Sequence, residues 1–237
     1  MLSRKELKTE AKEVLRNHYW LSVICGLLLA IGAAVSQAFH HIASVIRTGE
    51  EFLNIIENPR LYEITLWFLA GAAFGAVIFI LLRIFFTNVL TVGAAEFFLD
   101  CNYDEPVSFK TMFEGFKGEN YIHNVHTLFV RDLYVLLWSC LLIVPGIIKA
   151  LEYAMVDFII AEMPEADYKK ALMISSKLME GYKWRYFVLE LSFIAWYLLD
   201  ILTLGVLDKL WVQPYRNHTR AGFYLELKRM YMEKSQQ

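Results

Sequence analysis

From Asn17 to Ile46 the chain runs for thirty residues without Asp, Glu, Lys or Arg, and a second uncharged apolar run extends from Ile64 to Leu82. A helix rises about 1.5 Å per residue, so about 20 apolar residues cross the roughly 30 Å hydrocarbon core of a bilayer. Only a helix satisfies every backbone N–H and C=O of a single segment in that medium. The two runs therefore predict transmembrane helices, with spans at 20–39 and 64–82. Of the 237 residues, 57% are hydrophobic, against about 45–50% in a soluble domain, and lipid-facing helices account for the excess. A net charge of −2 gives no basic balance of the kind that nucleic acid attracts, and no nucleic-acid partner is expected.

Ahead of the first run, Ser3 and Glu6 have capping-box spacing, and Leu7, Ala11, Val14, Leu15 and Tyr19 share a helical face, with Lys8, Lys12 and Arg16 on another. Residues 1–19 read as an amphipathic interfacial helix that turns into the bilayer at Tyr19 and Trp20. A secretory signal is the alternative, with Ala34 and Ser36 near a cleavage site, but the helical pattern before the run argues against it. Lys and Arg are retained on the cytoplasmic side. Five basic residues before the first span against two in the loop 40–63 place the N-terminus inside. The same rule puts 84–132, an interfacial and cytoplasmic segment, the stretch 164–185, and the tail 213–237 inside. The expected location is the cell membrane, multi-pass, with both termini cytoplasmic.

Two further apolar segments, 133–163 and 186–212, are too long for one span and too short for two, which suits helical hairpins that enter and return. The first would bend at Pro145-Gly146 and the second at Gly205. Leu90 to Gly93, Leu142 to Gly146 and Leu202 to Gly205 echo one another and suggest an internal repeat.

Gly71 and Gly75 form a GxxxG pair in the second span, where small side chains let helix backbones touch; they are candidates for packing of the two spans or for homo-oligomer formation. Gly26, Ala30 and Ala34 make a second small stripe. Lys149, Glu152, Asp157 and Asp200 are charges at depth. They are candidates for a polar cavity, or, in the plainer account, for a helix nearing water and for a hairpin bend. His40, His41, His123 and His126 lack the spacing of converging ligands, and Cys25, Cys101 and Cys140 lack a framework, so no metal, cofactor or disulfide is expected. No nucleophile elbow, phosphate loop or paired-carboxylate signature occurs, so the protein is not read as an enzyme.

Phe113-Glu114-Gly115-Phe116, Pro145 to Lys149 with Tyr153 and Met155, Met179 to Lys183, Leu191 to Trp196, and Pro214-Tyr215 with Thr219 and Phe223-Tyr224 resemble the bacterial integral membrane family catalogued as domain of unknown function number 975. The resemblance implies a polytopic bacterial membrane protein and supplies no catalytic residues. The expected fold is all-α, a polytopic helical integral membrane protein built as a single membrane domain over 1–237, with Pro/Gly-bent hairpins and amphipathic interfacial helices. The expected function is that of a non-enzymatic lipid-binding or accessory scaffold component, with the lipid bilayer and another membrane protein or a second copy as partners. The alternative is a small transporter or channel subunit using Lys149, Glu152 and Asp200.

Overall fold

A helix that is apolar all round has to be surrounded by other protein or by lipid, and the chain contains both cases. The structure, a computed structural model, describes residues 2–53, 58–103, 107–118, 120–196, 200, 203 and 206–235, without the side chains of 31–41, 43, 50 and 52. The described residues are all-α, with no strand. They divide into two compact units, Ala30–Asn88 and Met1–Leu29 with Val89–Gln237.

The unit Ala30–Asn88 holds the later part of α2 (Tyr19–Leu53) and α3 (Pro59–Leu82). Asn58 caps α3 by accepting from the Arg60 amide at 3.0 Å, with Pro59 in the first turn, where its missing N–H costs nothing. The arms run antiparallel. A Cβ on Gly49 would lie 2.5 Å from Leu69 Cδ2, and one on Gly75 would lie 3.8 Å from Ile42. Gly71 was expected in the same contact, but a Cβ there meets nothing within 4 Å. The close approach belongs to Gly49, because the arms meet on the Ile42 and Leu69 side. Ala34, His40 and His41 have side chains outside the described residues. Pro59–Asp100 is one helical run, long and apolar enough by length and composition to cross a membrane. Within α3, Trp67 (79% exposed), Phe68 and Phe74 are largely exposed.

In the other unit, α4 (Asn88–Asp100) is the buried axis. Val89, Leu90, Val92, Phe97, Phe98 and Leu99 are all enclosed. Within the segment 84–132, read as interfacial and cytoplasmic, the uniformly apolar stretch Asn88–Asp100 is covered by protein. The 3-10 segment Phe109–Phe116 crosses α4 so closely that a Cβ on Gly93 would sit 2.0 Å from the Met112 carbonyl oxygen. Gly93 is therefore a crossing point inside a continuous helix and does not mark a helix end, which removes Leu90 to Gly93 from the supposed repeat.

Helices α5 (Asn120–Leu141) and α6 (Ile143–Glu152) form a tight hairpin. Lys149 lies 5.7 Å from the Trp138 ring, Tyr153 lies 6.5 Å from Tyr134, and Arg131 pairs with Asp157, so the arms are antiparallel along their whole length. The bend is at Leu142, in extended conformation, three residues before the expected Pro145-Gly146. Pro145 instead sits in the first turn of α6, and a Cβ on Gly146 would meet Ser139 Cα at 2.7 Å. At the tip, Leu141 (68%), Ile143 (77%) and Val144 (65%) are exposed.

Beyond α7 (Val156–Glu162) and α8 (Tyr168–Leu178), α9 (Lys183–Leu191) and α10 (Gln213–Ser235) form a second antiparallel pair. Tyr186 packs on Phe223 at 5.2 Å and Phe193 on Tyr215 at 5.3 Å. The proposed bend, Gly205, lies outside the described residues, as do Leu202 and Leu204. The segment expected as a cytoplasmic tail is thus a core helix: Tyr215, Ala221, Phe223, Tyr224 and Leu227 are buried. Along it lies α1 (Arg4–Asn17), with its capping box formed between Ser3 and Glu6. The apolar face of α1, Leu7, Ala11 and Leu15, is buried in the protein core, so its amphipathic pattern serves internal packing rather than insertion of that face into lipid.

Substitution of Gly93 or Gly146 by Ala is expected to lower stability by about 1–3 kcal/mol, since backbone must move to admit the methyl group, whereas Gly71→Ala stays within about 0.5 kcal/mol. Thermal unfolding of the three variants in one detergent checks the order. Equal loss at Gly71 would contradict the helix faces given above.

Candidate functional site

Glu152 ends α6 and is 9% exposed, a position a carboxylate holds only with partners. Lys149, one turn earlier, donates to Oε1 at 2.9 Å; Ser176 of α8 donates to the same oxygen at 2.9 Å; Lys183 donates to Oε2 at 2.6 Å. Lys183 reaches it because the chain leaves α8 through Gly181, at φ +78°, a left-handed turn that favours glycine. Ser175 donates to the Glu152 carbonyl at 2.7 Å. The cluster clamps the base of the first hairpin to α8 and α9.

Asp157 faces elsewhere. It pairs with Arg131, which also bonds Asp132 at 2.9 Å, and it lines a cavity of about 120 Å³ together with Thr91, Tyr186, Asn217 and Arg220. That space suits about four waters at roughly 30 Å³ each. The Asn217 Nδ2 group, buried and without a protein acceptor, is the group such a water would satisfy. Arg220 is already committed to Glu190 in a two-pronged pair at 2.7 and 2.8 Å. With Arg131 balanced by its two carboxylates and Arg220 by Glu190, the walls carry little net charge.

Asp200 joins neither group. Its Oδ1 accepts from the Asp208 amide at 2.8 Å. Of the four candidate residues, Lys149 and Glu152 meet, Asp157 borders a separate cavity, and Asp200 acts as a backbone cap. The sequence reading places Glu162 with Lys149, Glu152 and Asp157 after the Pro-Gly break but does not give its partners: it accepts from Tyr103 at 2.8 Å and Tyr224 at 2.9 Å and pairs with Lys228. That reading also missed Glu190–Arg220 and the buried pair of Ser22 with His218, at 2.8 Å. Each joins residues far apart in the chain, so only hairpin register could have signalled the Glu190 pair. Histidines 123 and 126 are spent on the Ala166 carbonyl, at 2.7 Å, and on the Tyr168 ring. Among the described residues no His, Cys, Asp and Glu side chains converge as metal ligands would.

His218 packs edge-on against Phe98 at 4.9 Å. Burial, with a smaller contribution from His18, pushes its pKa down to about 3. The folded state therefore holds His218 neutral while the unfolded chain protonates near 6.5, so stability is unaffected above that pH and falls as pH drops below it. The expected loss between pH 6.5 and 5 is roughly 1.5–2 kcal/mol. Melting curves across that window test it, and His218→Gln should flatten the slope. Glu152→Gln leaves Lys149 and Lys183 facing each other, and because both retain partial access to water the expected cost is about 1–3 kcal/mol. An unchanged melting point for that variant would show that the clamp contributes nothing.

Neither a curated protein nor a solved structure matches the chain. The family model described as Protein of unknown function (DUF975) matches residues 1–151 and 140–230. Those matches carry nearly the whole sequence and contain the hairpins and the Glu152 clamp; the protein belongs to the DUF975 family.

Proposed function

We propose that this is a multi-pass membrane protein that performs no catalysis and serves the bilayer as a lipid-binding or accessory component, supporting another membrane protein or a second copy of itself. The observation that carries the reading is the first hairpin. Its tip from Leu136 to Ile148 presents large apolar side chains outward, including Leu137, Leu141, Ile143 and Val144, and its charges, Arg131, Asp132, Lys149, Glu152 and Asp157, all lie toward its base. Water would penalise such a tip at about 25 cal/mol per Å² of apolar surface, and hydrocarbon removes that penalty. With ten residues α6 is about 15 Å long, and its charged residues, Lys149 and Glu152, stay at the base, so the apolar tip reaches only part-way into one leaflet before the hairpin returns. The exposed aromatic and aliphatic side chains of α3 support the same environment for a full crossing.

The transporter alternative requires Lys149, Glu152 and Asp200 around one wet cavity. Their division between a clamp and a backbone cap supports the accessory reading instead. In this topology both termini, 100–132 and 164–185 are cytoplasmic, in keeping with their basic residues and with the Lys183–Glu152 pair, which brings the start of α9 to the base of the first hairpin.

In a chain with Cys25, Cys101 and Cys140 replaced, Met173→Cys and Ser235→Cys should each resist a membrane-impermeant thiol reagent in intact cells and react after lysis. External labelling of Met173→Cys beside a protected Ser235→Cys would replace the hairpins with single crossings. Release of the chain into the supernatant by alkaline carbonate would remove the membrane assignment altogether.

A further inference from the structure

The basic face of α1 lines a depression, not a free surface. Arg4, Lys5, Lys8 and Lys12, with Ser192 and Tyr215, border an open depression of about 400 Å³. No acidic side chain lines it, and among the described residues none of the four cations is ion-paired. Lys8 is held there by the packing: its Nζ lies 3.4 Å from the Ser192 carbonyl and 4.0 Å from the centre of the Phe193 ring. Lys12 Nζ lies 5.5 Å from the Tyr215 ring. Burial, then Arg4 and Lys12, pull the Lys8 pKa down, and the opposing carboxylate, Glu190, is already bonded to Arg220. A cluster of like charges held together without a counter-ion attracts an anion.

A second depression of about 640 Å³ adjoins the first and shares Thr9 and Lys12 with it; Glu13, Arg16, Tyr19 and Trp211 complete its lining. Trp20, beside it in sequence, is exposed. Tryptophan and tyrosine favour the layer where headgroup meets acyl chain, since their rings are apolar and their N–H and O–H groups are polar. The pair of depressions thus runs from four cations to an aromatic wall, the order of groups along a phospholipid from phosphate to glycerol ester.

We propose that this groove binds an anionic phospholipid, with the phosphate against Lys8 and Lys12 and the glycerol backbone against Trp211 and Tyr19. The site rests on the membrane reading above and adds the lipid class: headgroups of net negative charge, in preference to zwitterionic ones.

The test uses the full chain in a neutral detergent, with thermal unfolding followed in dihexanoyl phosphatidylglycerol, dihexanoyl phosphatidylcholine or inorganic phosphate at equal concentration. Phosphatidylglycerol at about 100 times its Kd should raise the midpoint by roughly 5 °C or more, and the other two should have little effect. The double change Lys8→Gln with Lys12→Gln should remove most of that rise. Should it fail to fold, Arg4→Gln with Lys5→Gln, both at exposed positions, should reduce the rise in its place. Equal stabilisation by phosphatidylcholine, an equal effect of phosphate alone, or a full response in the variant that folds would each overturn the site. A chain that stays with membranes through carbonate yet ignores phosphatidylglycerol refutes the lipid site alone, whereas a chain released by carbonate refutes the membrane reading beneath it.

Discussion

More apolar surface than its own core can enclose is the constraint under which this chain folds. Its helices sort that surface by position: α4 and one face of α10 are enclosed by protein, while the tip of the α5/α6 hairpin and most of α3 are not. Ion pairs are arranged to fit. Arg131–Asp157 and Glu152 with its two lysines all lie at the base of the first hairpin, where they bind the arms and the neighbouring α8 and α9 together. A charged pair in the tip would have had to lose its water twice, once on pairing and once on entering an apolar medium, and desolvation of this kind commonly exceeds the Coulombic gain. Placing the pairs at the base leaves the register fixed and the tip uncharged.

The same separation explains what the sequence revealed. Uncharged runs and capping chemistry are local, so the long helices, the Ser3–Glu6 box and the existence of a hairpin after Leu133 were legible. The exact bend was not. Proline reads as a breaker, yet Pro145 is tolerated in a first turn, and the residue that turns the chain, Leu142, carries no turn signal at all. Burial of α10 was hidden for a different reason. Asn217, His218, Thr219 and Glu226 make it look like a surface helix, whereas all four are buried: the partners of His218 and Glu226, Ser22 and the Leu2 amide, come from distant elements, and Thr219 donates to the Tyr215 carbonyl one turn earlier. Composition cannot distinguish a polar residue facing water from one facing a partner two hundred positions away. Gly71 illustrates the converse, a packing signature whose partner is absent from its face.

Lys149, Glu152 and Asp200 gathered around one cavity would suit a transport mechanism, but their geometry favours rigidity. A carrier needs groups that change partner during a cycle. Glu152 has hydrogen bonds to both its oxygens from three side chains, and Arg131 is shared by two carboxylates. Moving either would leave partly buried partners uncompensated, which opposes easy exchange. The small cavity beside Asp157 is bounded by residues already engaged, and so it suits water that completes the packing.

The assignment of the α1 apolar face to the protein core changes how this helix can meet a membrane. An interfacial helix ordinarily anchors by burying its apolar side among acyl chains and uses its basic side to choose the surface. Leu7, Ala11 and Leu15 are unavailable for anchoring, so only the charged side remains to face outward, and contact with lipid has to depend on charge together with the aromatic residues at the start of α2. Charge attracts at a distance but is screened by salt, over about 8 Å at physiological ionic strength. A helix fixed in place by its own fold gains from this arrangement what a floating one cannot: its basic residues already border one groove, and a bound headgroup meets them without the entropic cost of ordering the backbone that carries them.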